Sequence, residues 1–187
     1  MEYRPLVVRF DEEMLKEFSG FDKNNPENYF KAHKRAKKPP MESLFGKRRE
    51  GLIPSINKFL NVDDRVIQNS WEDCLKDYCE FCLKSQGFKH NYIDSCIVLS
   101  VQFKPTKAKA DCNNIYVKPF IDAMVERELL KEDNYTVLHF HAEYMVVDKA
   151  DPHSEIRIYP IDEEHDFMCA MMCLTNDVIE LNDKYNG

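Results

Sequence analysis

Side chains that could support hydrolytic chemistry are concentrated in the segment from Lys109 to Asn134. Asp111 follows a predicted strand and Asp133 follows the next predicted helix, so the two carboxylates meet if the following strand pairs beside the earlier one. Carboxylates that converge at a strand edge form an oxygen site suited to Mg²⁺. Bound Mg²⁺ polarises a phosphodiester and generates hydroxide, and a lysine such as Lys118 neutralises charge developing on the phosphate.

The same segment has a simpler structural interpretation. Asp and Asn residues are common in turns and helix caps because their side chains bond to nearby backbone groups. Lys118 and Asp122 have the i, i+4 spacing of an exposed ion pair on a helix. On spacing alone this structural interpretation is favoured, and the chemical one needs support from the rest of the chain.

The spacing of apolar residues predicts the elements that position this segment. In chain order, they are a short helix over 11–18, a long amphipathic helix over 63–86, a strand over 92–103, a helix within 113–130, strands over 135–147 and 155–161, and an acidic helix after Asp162. This order predicts an α/β or α+β fold, with a small mixed sheet and helices packed on it.

Length and charge limit the class of protein. The 187 residues predict one domain with an extension, and 43% hydrophobic residues exclude a disordered chain. The net charge of −7 argues against a surface coated in positive charge. Residues 31–49, however, contain eight Lys or Arg and one Glu, a local charge of +7 that leaves −14 for the rest of the chain. Such a flexible basic arm can follow a phosphate backbone, although a solvated linker or a sorting signal would have the same composition.

Membrane and redox signals are weak in this sequence. No stretch approaches the roughly 20 apolar residues of a membrane span, and the acidic start of the chain is unlike a secretory signal. We therefore expect a cytoplasmic protein with no membrane partner. Seven cysteines fit reduced thiols. Cys79 and Cys82 form a CxxC, but without a second ligand pair we expect buried thiols instead of zinc.

The order of these residues resembles a known family. RusA-like crossover junction endodeoxyribonucleases, which are Holliday junction resolvases common in phages and prophages, share an Asp-x-Asp-Asn pattern followed by a Lys, an Asp and an acidic element. Lys118, Asp122 and Asp133 match its later part, at intervals of four and eleven residues. Further segments similar to the family are Gly51–Asn57, Leu129–Asn134, Asp148–Pro152 and Glu155–Ile158, so the resemblance covers residues 51–161.

The resemblance implies a small α/β nuclease fold, a homodimer, and Mg²⁺-dependent cutting of branched double-stranded DNA, with Mn²⁺ as an alternative ion. It also implies that the cell is bacterial or phage-infected. It assigns metal binding to Asp111 and Asp133 and a catalytic role to Lys118, with Asp122 more plausibly supporting than ligating. The predicted organisation is then an N-terminal extension with the basic arm over 1–50, a nuclease domain over 51–161, and an acidic C-terminal helix over 162–187. We expect that helix to pack on the domain or on the dimer partner.

One position departs from the family pattern. Where the family has its second Asp, this chain has Asn113, which offers Mg²⁺ a carbonyl oxygen but no charge. Three outcomes follow. Asp111, Asn113 and Asp133 hold the ion together, another acid such as Glu132 compensates, or the chain binds DNA or a protein without cutting. A protein-interaction module that no longer binds DNA is a further alternative.

Several other residues are candidates for binding. Those expected to contact DNA are Lys34, Arg35, Lys37, Lys38, Lys47, Arg48, Arg49, Asn57, Asn114 and Tyr116. Tyr116 is equally suited to a packing role. The element that contains Asn57 is equally suited to forming a turn or a helix cap. His139 and His141 are predicted to share a strand face, where a structural role is favoured because no third ligand is evident. Trp71 is expected in the core or at an interface, not as a platform for base stacking.

Overall fold

The computed structural model describes residues 3–18, 30–31, 33–45, 53–89, 92–106 and 115–186. Its strands are β1 (Leu6–Asp11), β2 (Cys96–Lys104), β3 (Leu138–Val147) and β4 (His153–Pro160). The six helices in these ranges are α1 (Glu12–Glu17), α2 (Pro40–Phe45), α3 (Ile56–Leu60), α4 (Arg65–Ser85), α5 (Lys118–Glu126) and α6 (Phe167–Asn186). None of these helices is both long and apolar enough to cross a membrane.

The four strands form one mixed sheet in the order β1-β4-β2-β3. The central strand β2 pairs parallel with β3, and α5 lies in the connection between them. The pairs β2–β4 and β1–β4 are antiparallel. This arrangement confirms the predicted small mixed sheet with packed helices, since the elements from α4 to α6 follow in the predicted order.

The sheet is covered on both faces. Successive side chains of a strand point to opposite faces, so Cys96 and Val98 of β2 join the core under α4 and α5, while Ile97 and Leu99 join the core under α6. All four are at most 1% exposed. A strand buried on both faces is expected to be almost continuously apolar, and that is why β2 was recognisable in the sequence.

Local signals explain the bounds of α4. Asp64 caps its first turn by accepting a hydrogen bond from the Val66 amide at 3.0 Å. After the helix, Gly87 has a φ of 77°, the left-handed conformation that a residue without Cβ adopts at low cost. The helix predicted over 63–86 is therefore confirmed.

The N-terminal segment contributes an edge strand that the sequence analysis did not identify. In β1, Val8 pairs with Ile156 of β4, and Val8 and Phe10 are fully buried. The alternation of Leu6, Val8 and Phe10 was the available signal. The predicted helix over 11–18 is confirmed as α1, which begins where the Asp11 side chain accepts from the Met14 amide.

Part of the predicted basic arm is ordered against the core. Helix α2 lies within residues 31–49 and buries Met41 and Leu44, which are 4% and 1% exposed. Ahead of α2, the ring of His33 lies 3.1 Å from the hydroxyl of Ser70 on α4. The prediction of a flexible arm is thus wrong for 40–45, because two large apolar side chains in that stretch are removed from water. Lys47, Arg48 and Arg49 lie outside the described residues.

The CxxC pair is part of the core. Cys79 and Cys82 are fully buried thiols on α4, as predicted. Burial raises the pKa of the Cys82 thiol to about 12. The Cys79 thiol donates a 3.6 Å hydrogen bond to the Phe120 carbonyl of α5. These thiols stay protonated and act as small apolar groups between two helices.

Candidate active site

Helix α5 positions the first two candidate residues. Its start carries Pro119 in the first turn, where a missing amide proton costs nothing. Phe120 and Met124 are fully buried against the core. With that stripe facing inward, Lys118 and Asp122 lie on the more exposed side, one helical turn apart.

The ammonium group of Lys118 lies between two carboxylates. Its Nζ is 2.9 Å from Oδ1 of Asp122 and 3.8 Å from Oδ2 of Asp133. The hydrogen bond to Asp122 raises the pKa of Lys118, so the group remains a cation at neutral pH. This geometry suits a residue that stabilises negative charge electrostatically, and it does not suit a general base.

Asp122 is held by two lysines. Its second oxygen lies 3.6 Å from Nζ of Lys76 on α4, and the same Nζ lies 2.7 Å from Glu126. The hydrogen bond to Glu126 is the main cause of a raised Lys76 pKa. With both oxygens of Asp122 facing ammonium groups, Asp122 has the contacts of a positioning residue for Lys118.

Asp133 belongs to a turn that Asn134 organises. The side-chain oxygen of Asn134 accepts from the amide of Thr136 at 2.9 Å and from its hydroxyl at 2.5 Å. The Asn134 amide group also donates to Glu132. Sequence analysis did not single out Asn134, although Asn is a common turn former. Glu132, named as a compensating acid, is thus hydrogen-bonded inside this turn, while the side chain of Asp133 is 54% exposed.

A second connection joins the N-terminal element to the site. Ser55 pairs with Ile115 in an isolated bridge, and the Tyr116 amide donates to the Pro54 carbonyl at 2.9 Å. The Tyr116 hydroxyl donates to Glu72, and its ring lies 4.1 Å from that of Phe59. Burial, followed by the contact with Glu72, raises the Tyr116 pKa. Of the two roles considered for Tyr116, these contacts describe packing.

Asn57 lies in the first turn of the short helix α3 instead of projecting from a loop. Its amide donates to the hydroxyl of Ser55, the N-cap residue, at 3.2 Å. Its carbonyl accepts from the side chain of Asn61 at 2.7 Å. The cap interpretation of this element is confirmed, and a DNA contact by the side chain of Asn57 stays a prediction.

A row of polar side chains on the sheet was not recognised from the sequence. Ser100 and His141 lie 3.0 Å apart, Gln102 donates to the Ile53 carbonyl at 2.6 Å, and the Ile115 amide donates to Glu143 at 3.4 Å. Gln102 thereby attaches the segment that contains Ile53 to β2, and Glu143 attaches the segment that contains Ile115 to β3. The signal for this row was the i, i+2 spacing of polar residues in each strand.

The two histidines of β3 do not act as a pair. A register shift occurs opposite Cys96 and Ile97, at the position of His139. His139 lies 2.8 Å from the Ser95 hydroxyl and packs edge-on against Phe167 of α6, whereas His141 contacts Ser100. Burial lowers the pKa of His141. Their structural roles therefore differ, and each has its own partner.

The remaining candidates fall into two groups. Asp111, Asn113 and Asn114 lie outside the described residues. Lys34, Arg35, Lys37 and Lys38 are described and exposed. In the part of the chain that the structure describes, no three His, Cys, Asp or Glu side chains are grouped closely enough to hold a metal ion. The described residues thus bring together Lys118, Asp122 and Asp133 from the predicted site.

No model of a known protein family matches this chain, and no curated protein matches it either. A functional assignment therefore depends on the chemistry of these residues, on their geometry, and on the resemblance found in the sequence.

Proposed function

We propose that this protein is a Mg²⁺-dependent, structure-selective DNA endonuclease that hydrolyses phosphodiesters in branched DNA such as Holliday junctions. The observation that carries the proposal is the position of Lys118, a protonated amine between Asp122 and Asp133. These three residues are also the ones whose spacing resembles the RusA-like family. The proposal includes action as a homodimer, with DNA as partner.

The donor set suits Mg²⁺. Asp133 would hold the ion together with Asp111 and Asn113, because carboxylate and amide oxygens are the hard ligands that Mg²⁺ prefers. When bound, the ion supplies polarisation of the phosphodiester and activation of water. The exposed carboxylate of Asp133 is 3.8 Å from Lys118, a distance longer than a hydrogen bond, so ligation of a metal does not require a bond to be broken.

The other residues supply electrostatics. Lys118 faces the scissile phosphate and stabilises the charge that develops on its oxygens. Asp122 holds Lys118 in place and keeps it protonated, while Lys76 offsets the charge of Asp122. In this proposal Asp122 acts through Lys118 and does not contact the substrate.

Basic residues before and after α2 would bind the DNA backbone. Lys34, Arg35, Lys37 and Lys38 are exposed around α2, and Lys47, Arg48 and Arg49 follow in the sequence. Phosphate contacts of this kind position DNA without reading its sequence. This agrees with an enzyme that selects the shape of a branch point.

A cleavage assay tests the proposal directly. Labelled linear, forked and four-way DNA is incubated with the protein with and without Mg²⁺. We expect cleavage of the four-way junction with Mg²⁺ only, and loss of cleavage in Asp111→Asn and Asp133→Asn. Asp183→Asn, an exposed change on α6, is the matched control and should cleave normally. Mg²⁺-dependent cleavage that persists in both site variants would show that the assignment is wrong.

A second candidate function follows from Asn113. If the missing carboxylate makes the site inactive, the protein binds branched DNA or a protein partner without cutting it. This version predicts salt-sensitive junction binding and no product during long incubation with Mg²⁺ or Mn²⁺. Cleavage gained by Asn113→Asp would support it and identify the missing charge, whereas cleavage by the unchanged protein would exclude it.

A further inference from the structure

A cavity of about 670 Å³ lies between the basic segment before α2 and the start of α4. Three cations line it, Arg35, Lys37 and Lys38, and its apolar lining is Val62, Ile67 and Trp71. Cations beside an apolar and aromatic surface match a nucleotide, which has an anionic phosphate and a flat base with little charge.

With three cations and two acids, the lining of the cavity has a net formal charge of +1. Arg35 and Lys37 have no carboxylate partner among the described residues, whereas Lys38 pairs with Glu42 at 3.3 Å. Two acids, Asp63 and Asp64, also line the cavity. The carboxylate of Asp64 accepts from the Val66 amide and caps α4, and neither acid forms an ion pair with Arg35 or Lys37 in the part of the chain that the structure describes.

Trp71, which lines the cavity, has a buried hydrogen-bond donor. Its indole Nε1 is buried and finds no acceptor in the described ranges. A buried indole N–H is normally hydrogen-bonded, and Trp71 is one of the residues that line the cavity. The ring itself is fixed by Phe59, which packs edge-on against it with centroids 5.6 Å apart.

The cavity is connected to the candidate active site by packed side chains. Phe59 touches Trp71 on one side and Tyr116 on the other, and Tyr116 precedes Lys118 by two residues. On α4, Trp71 and Lys76 are five residues apart, about 7.5 Å of helical rise, and Lys76 contacts Asp122. The cavity and the candidate active site therefore both border α4, with Trp71 and Lys76 on different faces of the helix.

We propose that this cavity binds one unpaired nucleotide of a DNA branch point, with the base against Trp71 and the phosphate against Arg35 and Lys37. The inference rests on the proposed function, and it adds a binding site for an unstacked base beside the scissile position. Trp71 packs against the core, as its position in the sequence predicts, and the proposal adds a base contact that the sequence did not favour. Stacking of a base on an aromatic ring tolerates any sequence because every base has a flat face.

The experiment uses the intrinsic fluorescence of Trp71, which is the only tryptophan in the chain. The full-length protein is titrated with pentathymidylate in EDTA, so that no cleavage occurs. We expect a saturable change in emission. Arg35→Ala and Lys37→Ala should each weaken binding about 3- to 10-fold, as expected for the loss of one charged contact. Both residues are exposed, so these variants should fold.

Lys149→Ala is the matched control, because Lys149 is an exposed lysine between β3 and β4. It removes the same charge far from the cavity and should leave the affinity unchanged. The inference is overturned if pentathymidylate does not change the emission, if a blunt duplex changes it as strongly, or if Lys149→Ala weakens binding as much as Lys37→Ala.

Failure of the inference and failure of the proposed function give different results. Normal junction cleavage with no fluorescence response to pentathymidylate would reject the nucleotide site and leave the nuclease assignment intact. A response that depends on Lys37, combined with no cleavage in Mg²⁺ or Mn²⁺, would support the nucleotide site and reject the nuclease.

Discussion

The Nζ atom of Lys118 lies 3.8 Å from a carboxylate oxygen of Asp133, although Lys118 begins α5 and Asp133 lies beyond its end. The chain reverses after α5, where Glu128 adopts a left-handed φ of 57° and the Leu129 amide donates to the Met124 carbonyl at 2.9 Å. This reversal brings the turn before β3 back along the helix. The Lys118 ammonium group is thereby placed between Asp122 of α5 and Asp133 of the turn before β3.

Removal of the Lys118 charge should reduce catalysis without unfolding the protein. For Lys118→Gln we expect a loss of about 10²- to 10³-fold in single-turnover cleavage of a four-way junction, the scale for one lost electrostatic contact in a transition state. The side chain is 65% exposed, so the urea midpoint should barely change. Lys131→Gln is the control, since Lys131 pairs with Asp94 at 2.9 Å and is similarly exposed. Equal losses in both variants would contradict a specific role for Lys118.

Asp122 should control the charge state of Lys118. Because the hydrogen bond that Lys118 donates to Asp122 raises the Lys118 pKa, Asp122→Asn should lower that pKa and shift the alkaline limb of the pH–rate profile to lower pH. Asp122→Glu, which keeps a carboxylate, should restore part of the shift. A variant that loses rate equally at every pH would show that Asp122 acts on the fold and not on Lys118.

Exposed cations near α2 should determine the salt dependence of DNA binding. Each phosphate contact contributes about −0.9 to the slope of log K against log salt. Replacement of Arg35, Lys37 and Lys38 by Gln should therefore reduce that slope by about 2 to 3 for a four-way junction, measured by anisotropy between 50 and 200 mM salt. Deletion of residues 31–49 is unsuitable because Met41 and Leu44 are buried. An unchanged slope would exclude these residues as phosphate contacts.

The ion pairs under α6 should stabilise the fold. Asp177 accepts from Arg157 at 2.9 Å and from the Tyr159 hydroxyl at 2.6 Å, and Arg157 also pairs with Glu155 at 2.7 Å. Asp177→Ala leaves two largely buried donors without this acceptor, so we expect a loss of about 1–3 kcal/mol in the free energy of unfolding. Asp183→Ala, at an exposed position of the same helix, should cost far less in urea denaturation. Similar losses would mean that the network contributes little.

His141 should make stability depend on pH. Burial lowers its pKa, so the unfolded chain takes up a proton at a higher pH than the folded chain does. The free energy of unfolding should therefore fall as the pH drops below about 6.5, the value for an exposed histidine. Between pH 7.5 and 5.5, the free energy of unfolding of His141→Gln should decrease less than that of the unchanged protein. The variant His139→Gln, at an exposed position, should decrease as much as the unchanged protein does. Identical profiles for all three proteins would exclude this linkage.

Elements with a regular apolar pattern were predictable from the sequence. The long helix α4 and the buried strand β2 have apolar residues at periods that local sequence reveals. Strand β1 was missed because only three alternating residues, Leu6, Val8 and Phe10, mark it. Its partner β4 lies at the other end of the chain, and pairing across such a separation is decided by burial and not by local pattern.

The same distinction between local pattern and tertiary packing applies to the candidate site. Sequence determined which residues have the chemistry, since the spacing of Lys118, Asp122 and Asp133 and the Asn at position 113 are properties of the chain alone. Tertiary structure decided which of them meet. The approach of Asp133 to Lys118, the second lysine near Asp122, and the cavity that Trp71 lines together with Arg35 and Lys37 each join different elements. Such contacts follow from how helices pack on a sheet, and no local spacing encodes them.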